Sequence, residues 1–260
     1  MRIKYKRKTV MKILITGAKG FIGKNLIARL NEIGGHTIYT FDIDSSIESL
    51  DEYTKDCEFV YHFAAVHRPK DPKEFDDVNH RFFDDLLVKL KKNNNKCPVL
   101  YTSSIQATNG SEYGKSKLAA EADLRAYGEE NNSRIIIYRL TNTFGKWATP
   151  NQHSVVATFC YNIVRNLPIT VSDRSHKMYF YYIDDVVDSF VKQLSGEVEA
   201  DQDGIYRLKD EQIYEITLGE LADTLTYFNE CQKNGTEALL DTPTKERLYI
   251  TYKSYLEESK

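Results

Sequence analysis

The sequence predicts an α/β fold: a doubly wound parallel sheet followed by a small carboxyl-terminal lobe. Three observations predict it. Short apolar runs alternate with segments carrying apolar residues at helical spacing over residues 12–139. The first apolar run ends in glycines at G-x-x-G-x-x-G spacing, Gly17, Gly20 and Gly23, which open the first helical segment. From about Gly145 the alternation loosens. Strands in steady succession with crossover helices build a parallel sheet, and the looser remainder forms the lobe.

Each element follows from its residues. Lys12–Thr16 is a short apolar run closed by glycine, as in a strand buried on both faces. Phe21, Ile22, Leu26, Ile27 and Leu30 repeat at helical spacing until Gly34-Gly35 breaks the chain. Residues 36–41 read as a second strand closed by Asp42, and 58–63 as a third after a helix-compatible stretch from Ile47. Residues 75–92 predict one helix with Leu86, Leu87 and Leu90 as its buried stripe, ended by Asn93, Asn94 and Asn95. Residues 99–103 predict a strand, 113–130 a long helix and 134–139 the next strand. In the lobe, helices are expected over 153–166, 184–194 and 218–228, with strands over 177–182 and 205–208. These later segments are expected to cap the sheet's carboxyl edge and shape a pocket there.

Composition narrows the function classes. A net charge of -3 from nearly balanced charges gives no polycation for a nucleic acid or an anionic membrane. No apolar run approaches the roughly 18 residues of a membrane helix. Cys57, Cys97, Cys160 and Cys231 show neither metal-ligand spacing nor a disulfide framework, so no metal is expected and a reducing, cytoplasmic compartment is. Lys115, Lys117 and Glu121, and Asp84 and Asp85 with Lys89, Lys91 and Lys92, read as solvated helix faces. Residues 1–10 are basic without the apolar core of a secretory signal, and are expected to be a flexible leader or an overlong start ahead of Met11.

The glycine run carries a physical argument. Gly17 and Gly20 let the backbone turn and approach a pyrophosphate, and Gly23 lets helix and strand pack closely. The helix amino terminus then offers unpaired amides to the diphosphate. Lys19, Phe21 and Ile22 belong to the same cradle. Asp42 either accepts the adenosine ribose hydroxyls, repelling a 2'-phosphate and so favouring NADH, or opens a turn with Asp44 and Ser45. Lys19 argues the other way, because its ammonium can reach a phosphate, and Asp44 is a second candidate ribose ligand. Ala64 and Ala65, closing the third strand after His62-Phe63, let a cofactor lie close to the sheet or are ordinary core alanines.

Reaction chemistry is proposed by Ser104, Tyr113 and Lys117. The four-residue spacing sets Tyr113 and Lys117 one helical turn apart on one face. The Tyr113 phenol can protonate a carbonyl that receives hydride, while the Lys117 ammonium is expected to favour the phenolate and to bond the nicotinamide ribose. Ser104, ending the neighbouring strand, can orient the carbonyl oxygen. A core-facing tyrosine is the plain alternative. Together these residues point to hydride transfer on a Rossmann-type sheet, organised as a dinucleotide-binding core over 11–145 and a substrate-binding lobe over 146–260 interleaved with the core's last elements.

The glycine run, His62-Phe63-Ala64-Ala65, Ser103-Ser104, Tyr113 to Lys117, Arg139 to Gly145 and Ile183-Asp184-Asp185-Val186 together resemble, in order, the motifs of the extended short-chain dehydrogenase/reductase family. Within it the chain is most similar to the CapF-type reductase domains of capsular polysaccharide biosynthesis. That likeness rests on residues 13–25, Arg68-Pro69, 103–108, Tyr138-Arg139, Phe144-Gly145-Lys146-Trp147 and 157–161. The resemblance implies NAD(P)H-dependent reduction of the C4 ketone of a UDP-linked 2-acetamido-2,6-dideoxy-hexos-4-ulose, on a route of the UDP-N-acetyl-L-fucosamine or UDP-N-acetylquinovosamine type.

Asn142 is then expected to face the sugar, Asn151, His153 and Ser154 the nucleotide or acetamido group, and Trp147 either to stack on uracil or to fill the lobe's core. The resemblance favours NADPH where Asp42 favours NADH, and it implies a homodimer through the 75–92 and 113–130 helices. Three departures stand out. An arginine expected for NADPH is replaced by Asp42-Ile43. Met178-Tyr179 replaces an Arg-Asp pair, leaving Arg174 or Lys177 as candidates for the diphosphate. The cupin-like C3-epimerising domain of the CapF type is not in this sequence. A separate C3 epimerase as partner, direct reduction of the unepimerised sugar, and a piece of a longer chain are the three readings of that last point. Two other functions remain on the same fold: a sugar-nucleotide 4-epimerase and a non-catalytic dinucleotide-binding protein. A dehydratase fits poorly, because Ile105-Gln106 stands where an Asp-Glu acid/base pair is needed.

Overall fold

The computed structural model describes residues 10–67, 69–152 and 154–259. Residues 1–9 of the expected leader, Arg68 and His153 lie outside them. The chain forms two compact units. One holds the residues up to Leu140 together with Phe190–Arg207, and the other holds Thr141–Ser189 and the residues from Leu208 onward.

The first unit is a five-stranded parallel sheet in the order β2-β1-β3-β4-β5. Its strands are β1 (Lys12–Thr16), β2 (Thr37–Phe41), β3 (Phe59–His62), β4 (Val99–Ser104) and β5 (Ile135–Leu140). Alternate residues of a strand face opposite sides, and here both sides are covered. Leu14, Val60, Tyr101 and Ile137 pack with Leu50, Leu86, Leu90 and Leu124 in one core, and Ile13, Ile15, Tyr61 and Ile136 are equally buried. The helices are α1 (Phe21–Ile33), α2 (Ile47–Asp56), α3 (Lys73–Asp76), α4 (Phe82–Lys92) and α5 (Glu112–Asn131). Strand order reverses between β1 and β3, the place where open α/β sheets take their ligands.

The helix expected over 75–92 forms, from Lys73 to Lys92, but it does not keep α geometry throughout. A π-helical segment, Asp77–Arg81, separates α3 from α4. The wider turn carries Asn79 fully inward, where its carboxamide takes the amide of Val66 at 2.7 Å and donates to the carbonyl of Val66 at 3.1 Å and to Ser116 Oγ at 3.3 Å. Helical periodicity treats such an inward polar residue as a break in the stripe and cannot register the extra residue.

The strand expected over 205–208 does not form either. A single bridge joins Tyr206 to Tyr138, with the Tyr206 amide donating to Ile137 O at 2.8 Å. Gly204 turns at φ 73°, and Arg207 folds back on Asp201 and Asp203, which bends the chain out of ladder geometry.

The second unit carries a three-stranded sheet of β6 (Asn142–Phe144), β7 (Lys177–Tyr182) and β8 (Ile213–Thr217), β6 parallel and β8 antiparallel to β7. Its helices are α6 (Val155–Val164), α8 (Leu218–Asn234) and α9 (Pro243–Glu257), and α7 (Ile183–Lys192) contains the division between the units. β6, β8 and α9 were not expected. α9 buries Leu248, Thr251, Tyr252 and Tyr255, a stripe of threonine and tyrosine that reads as polar or strand-like. Its Thr242 cap and Pro243 mark the start. α8 opens with a reciprocal Thr217–Glu220 capping box.

Candidate active site

Within the first unit, the ends of β1, β3 and β4 and the start of α5 gather the residues singled out for cofactor and chemistry. Gly17 follows β1 at φ 66°, and a Cβ there would lie 2.6 Å from the Ala64 amide nitrogen. No other residue fits both conditions. The glycine turn therefore touches the backbone that follows β3 at the switch point. Gly20 caps α1 without any side-chain bond to its first amides, Gly23 is buried in the first turn, and Phe21, Ile22, Ala64 and Ala65 are half-buried around it. The amides at the α1 amino terminus are left to an anion.

Asp42 points back at this turn. Its carboxylate accepts the backbone amide of Lys19 at 2.7 Å and that of Ile43 at 2.9 Å. The turn with Ser45 forms as well, through Asp42 N to Ser45 Oγ at 2.9 Å and Ser45 N to Asp42 O at 2.8 Å. The two readings of Asp42 are thus compatible in one geometry. The Lys19 ammonium pairs with the Asp44 carboxylate, and Asp44 is held below its usual range by that bond. Ile43 is almost wholly exposed between them.

Ser104 is the last residue of β4, opposite Leu140, and its hydroxyl accepts the Gln106 amide at 3.1 Å. Residues Ile105–Thr108 form a 3-10 turn that brings the start of α5 under the strand end. Gly114 permits this: a Cβ there would lie 2.2 Å from Gln106 O. Tyr113 sits in the first turn of α5, its ring 5.2 Å from His67 and edge-on to Phe75 at 5.8 Å. Burial pushes the phenol up to about 12, and a hydrogen bond with Ser104 works against that rise. Tyr113 is therefore a protonated donor at neutral pH.

Lys117 is buried to 2 % exposure. Its Nζ donates to Thr102 O at 3.0 Å and lies 4.9 Å over the Tyr101 ring and 5.8 Å over the Tyr113 ring. Burial pulls it down to about 7, with Glu121 pulling it back up. The expected lowering of Tyr113 by this ammonium is not what this geometry gives, since desolvation dominates both groups.

The sequence reading of Lys117 and Glu121 on a solvated helix face is corrected here. Glu121 is as buried as Lys117. It takes the Ser103 hydroxyl, Arg139 Nε at 2.9 Å and Arg139 Nη2 at 2.7 Å. Their i, i+4 spacing already placed the two on one face, and that was the available signal. His62 was also missed as a polar site. Its Nδ1 meets Thr16 Oγ1 at 2.8 Å, its ring stacks on Phe83 at 4.2 Å, and burial, aided by the Lys117 charge, holds it neutral, well below its usual range.

The remaining candidates lie in the second unit. Asn142 is an exposed residue of β6. Trp147 is 37 % exposed at φ 69°, with Lys146 Nζ 4.7 Å over its ring. A bulky residue in that region of φ is rare and costs of order 1–3 kcal/mol. The Tyr255 hydroxyl of α9 donates to the next carbonyl, Ala148 O. Asn151 also has positive φ and its amide donates to Thr158 Oγ1 at 2.9 Å. Ser154 caps α6, with its Oγ buried and without a protein partner. Arg174 and Lys177 are engaged by Asp223 and Glu215, each at 2.6 Å. Among the described residues there is no cluster suited to a metal ion, and no helix is long and apolar enough to cross a membrane.

Comparison with known proteins gives a consistent picture. The family model described as the NAD dependent epimerase/dehydratase family matches residues 13–208. A UDP-2-acetamido-2,6-beta-L-arabino-hexul-4-ose reductase of Pseudomonas aeruginosa is 42% identical over 248 residues, covering 95% of this chain and 66% of its own length. The capsular polysaccharide assembling protein CapF of Staphylococcus aureus superposes with a TM-score of 0.84 at 37% identity, covering 96% of this chain and 66% of that one. A dTDP-4-dehydro-6-deoxyglucose reductase of Escherichia coli is 25% identical over 83% of this chain and 81% of its own. The chain thus spans just under two thirds of the first two relatives.

Proposed function

The chain belongs to the NAD dependent epimerase/dehydratase family, and from that premise we propose that it reduces the C4 ketone of a UDP-linked 2-acetamido-2,6-dideoxy-hexos-4-ulose with a nicotinamide cofactor. The observation that carries the reading is the Ser104–Tyr113–Lys117 set at the end of β4. It holds a protonated phenol, a serine hydroxyl that counters the rise of that phenol and a buried ammonium, beside a glycine turn shaped for a diphosphate. The names of the P. aeruginosa and E. coli relatives, both sugar-nucleotide ketone reductases, support the substrate class.

The residues fit the cofactor. Gly17 leaves a cradle that any Cβ would fill, α1 offers its first amides to the diphosphate, and Asp42 is aimed at the turn where an adenosine ribose would lie. The cofactor, when bound, supplies the hydride. Ser104 orients the ketone oxygen, Tyr113 gives it the proton as the alcohol forms, and Lys117 restores charge balance beside the phenolate left behind. Asp42 repels a 2'-phosphate, so NADH is preferred over NADPH. Asn142, Trp147, Asn151, His153 and Ser154 remain the candidates for sugar and uridine. Action in the cytoplasm, self-association through α4 and α5, and supply of substrate by a separate C3 epimerase belong to the same reading. Val88 and Leu118, exposed on those two helices, support the second of these.

Incubation with NADH or NADPH and the 4-keto sugar, before and after C3 epimerisation, tests it. Stoichiometric loss of reduced-nicotinamide absorbance is expected, and an epimerase would show none. Tyr113→Phe should abolish turnover while cofactor affinity is kept, and unchanged turnover would overturn the assignment. Faster reduction with NADPH than with NADH would overturn the role of Asp42.

A further inference from the structure

Beneath the reacting pair lies a charged cluster that the reaction scheme does not use. Glu121 stands one helical turn beyond Lys117 on α5, almost without solvent. A bare carboxylate in such a place is costly. Here it is held by the paired Nε and Nη2 of Arg139 from β5 and by the Ser103 hydroxyl from β4. Ser103 is the residue before Ser104, and Glu121 shares the helix of Tyr113 and Lys117, so one carboxylate ties together both elements that present the reacting groups.

We propose that Glu121 is a positioning residue, a buried carboxylate fixed by Arg139 and Ser103 that keeps the proton on Lys117 and so sets the pH at which the Tyr113–Lys117 pair works. The inference rests on the reading of Ser104, Tyr113 and Lys117 as the reacting set.

The surroundings of Lys117 leave this task to Glu121. From α5 it faces Tyr113 and Glu121; from β4, the Tyr101 ring and the Thr102 carbonyl; and from β3, the neutral His62. Glu121 is the one carboxylate in that set. Burial drives Lys117 toward its neutral form, and Glu121 opposes it. Arg139 fixes the carboxylate geometrically and is itself anchored, its guanidinium charge being strengthened first by the hydrogen bond to Glu121. Ketone reduction requires a protonated Tyr113 and a charged Lys117, so the rate falls as pH rises through the Lys117 titration. Removing the Glu121 charge moves that fall to lower pH.

Two variants separate charge from shape. Glu121→Gln keeps the size and removes the charge, whereas Glu121→Asp keeps the charge and shortens the reach to Arg139. The readouts are the pH profile of kcat and the titration of the Lys117 Nζ followed by nitrogen NMR in selectively labelled protein. For Gln, both should move down by about one pH unit or more, within the range expected for an adjacent charge. For Asp, both should stay close to the parent. An unmoved Gln profile, or an equal shift in Asp, overturns the proposal. If Glu121→Gln does not fold, the Glu121→Gln, Arg139→Met double variant removes the ion pair whole; a downward shift smaller than that of Gln alone is expected, because losing the more distant guanidinium offsets part of the lost negative charge, and no shift or an upward one overturns the proposal. Should the parent protein reduce no 4-keto sugar, the proposed function fails on that ground alone, while the Nζ titration still decides the role of Glu121.

Discussion

At the scale of single residues, the site carries costs that stability measurements can read. Lys117 has an unfolded value near 10.5 and a folded value of about 7. Between those limits the unfolded chain binds more protons than the folded one, so this residue makes stability rise with pH across the window and penalises folding below it. Lys117→Met should therefore raise the free energy of unfolding by roughly 2–4 kcal/mol at pH 7. The gain should shrink as pH approaches 10.5, while turnover is abolished. Urea unfolding at several pH values checks both the size and the sign, and a destabilised variant at pH 7 would contradict the burial argument. Gly17 is the other single-residue test. Gly17→Ala forces a Cβ into a positive-φ position already filled by the Ala64 backbone, and should cost on the order of 1–3 kcal/mol and remove cofactor binding in a fluorescence titration.

At the scale of elements, β1, β3, β4 and β5 were legible because each holds a short apolar run between turn residues, and both faces of the sheet demand the same residue type there. α1 was legible from its apolar spacing and its glycine start, and α5 from the one-turn spacing of Tyr113 and Lys117. The π-helical segment between α3 and α4 was not. An inward Asn79 and an outward His80 look like noise in a periodic pattern, yet both are tied down. Burial opposes charge on His80, but bonds to Asp76 and Asp123, each at 2.7 Å, outweigh it and hold the imidazole above its usual range. Asn79 clamps the segment after β3, two residues beyond Ala64, to α5. Asn79→Ala strands the Val66 amide and carbonyl and should cost about 1–3 kcal/mol in urea unfolding. It should also weaken cofactor binding by loosening Ala64–Ala65, and tight binding in a destabilised variant would show that the clamp serves the core alone. The candidate site was legible in part for a related reason. Tyr113, Lys117 and Ser104 stood out by residue type and spacing, and β4 and α5 bring them together, whereas Glu121 and Arg139 meet only through the packing of α5 on β5, which no local pattern records.

At the scale of the molecule, the path of the chain matters more than its composition. The first unit is not one continuous stretch: Phe190–Arg207 returns to complete it. That return is structural. Tyr61 donates to Phe190 O at 2.9 Å, Gln193 donates to the Tyr138 hydroxyl at 3.0 Å, and Arg134 donates to Gln193 O at 2.8 Å. The Phe190 ring also packs on Phe63 and Tyr138. A fragment ending at Leu140 would expose these partners and leave the Tyr61 and Tyr138 hydroxyls without them. It should lack a cooperative thermal transition by circular dichroism even with cofactor present. Adding a peptide of residues 190–207 should restore some of it, and a fully cooperative fragment alone would show the returning segment to be dispensable.

The same threading bears on inheritance. A lineage that exchanged its second unit by one genetic crossover at residue 140 would import a foreign 190–207 segment along with it. The donor's counterparts of Phe190 and Gln193 would then have to fit Tyr61, Tyr138 and Arg134 of the recipient. Recombination among distant members is penalised in the core of the first unit. Change in the second unit is accordingly expected to proceed by substitutions within Thr141–Ser189 and the region after Leu208, or by paired exchanges that leave the returning segment with its own sheet.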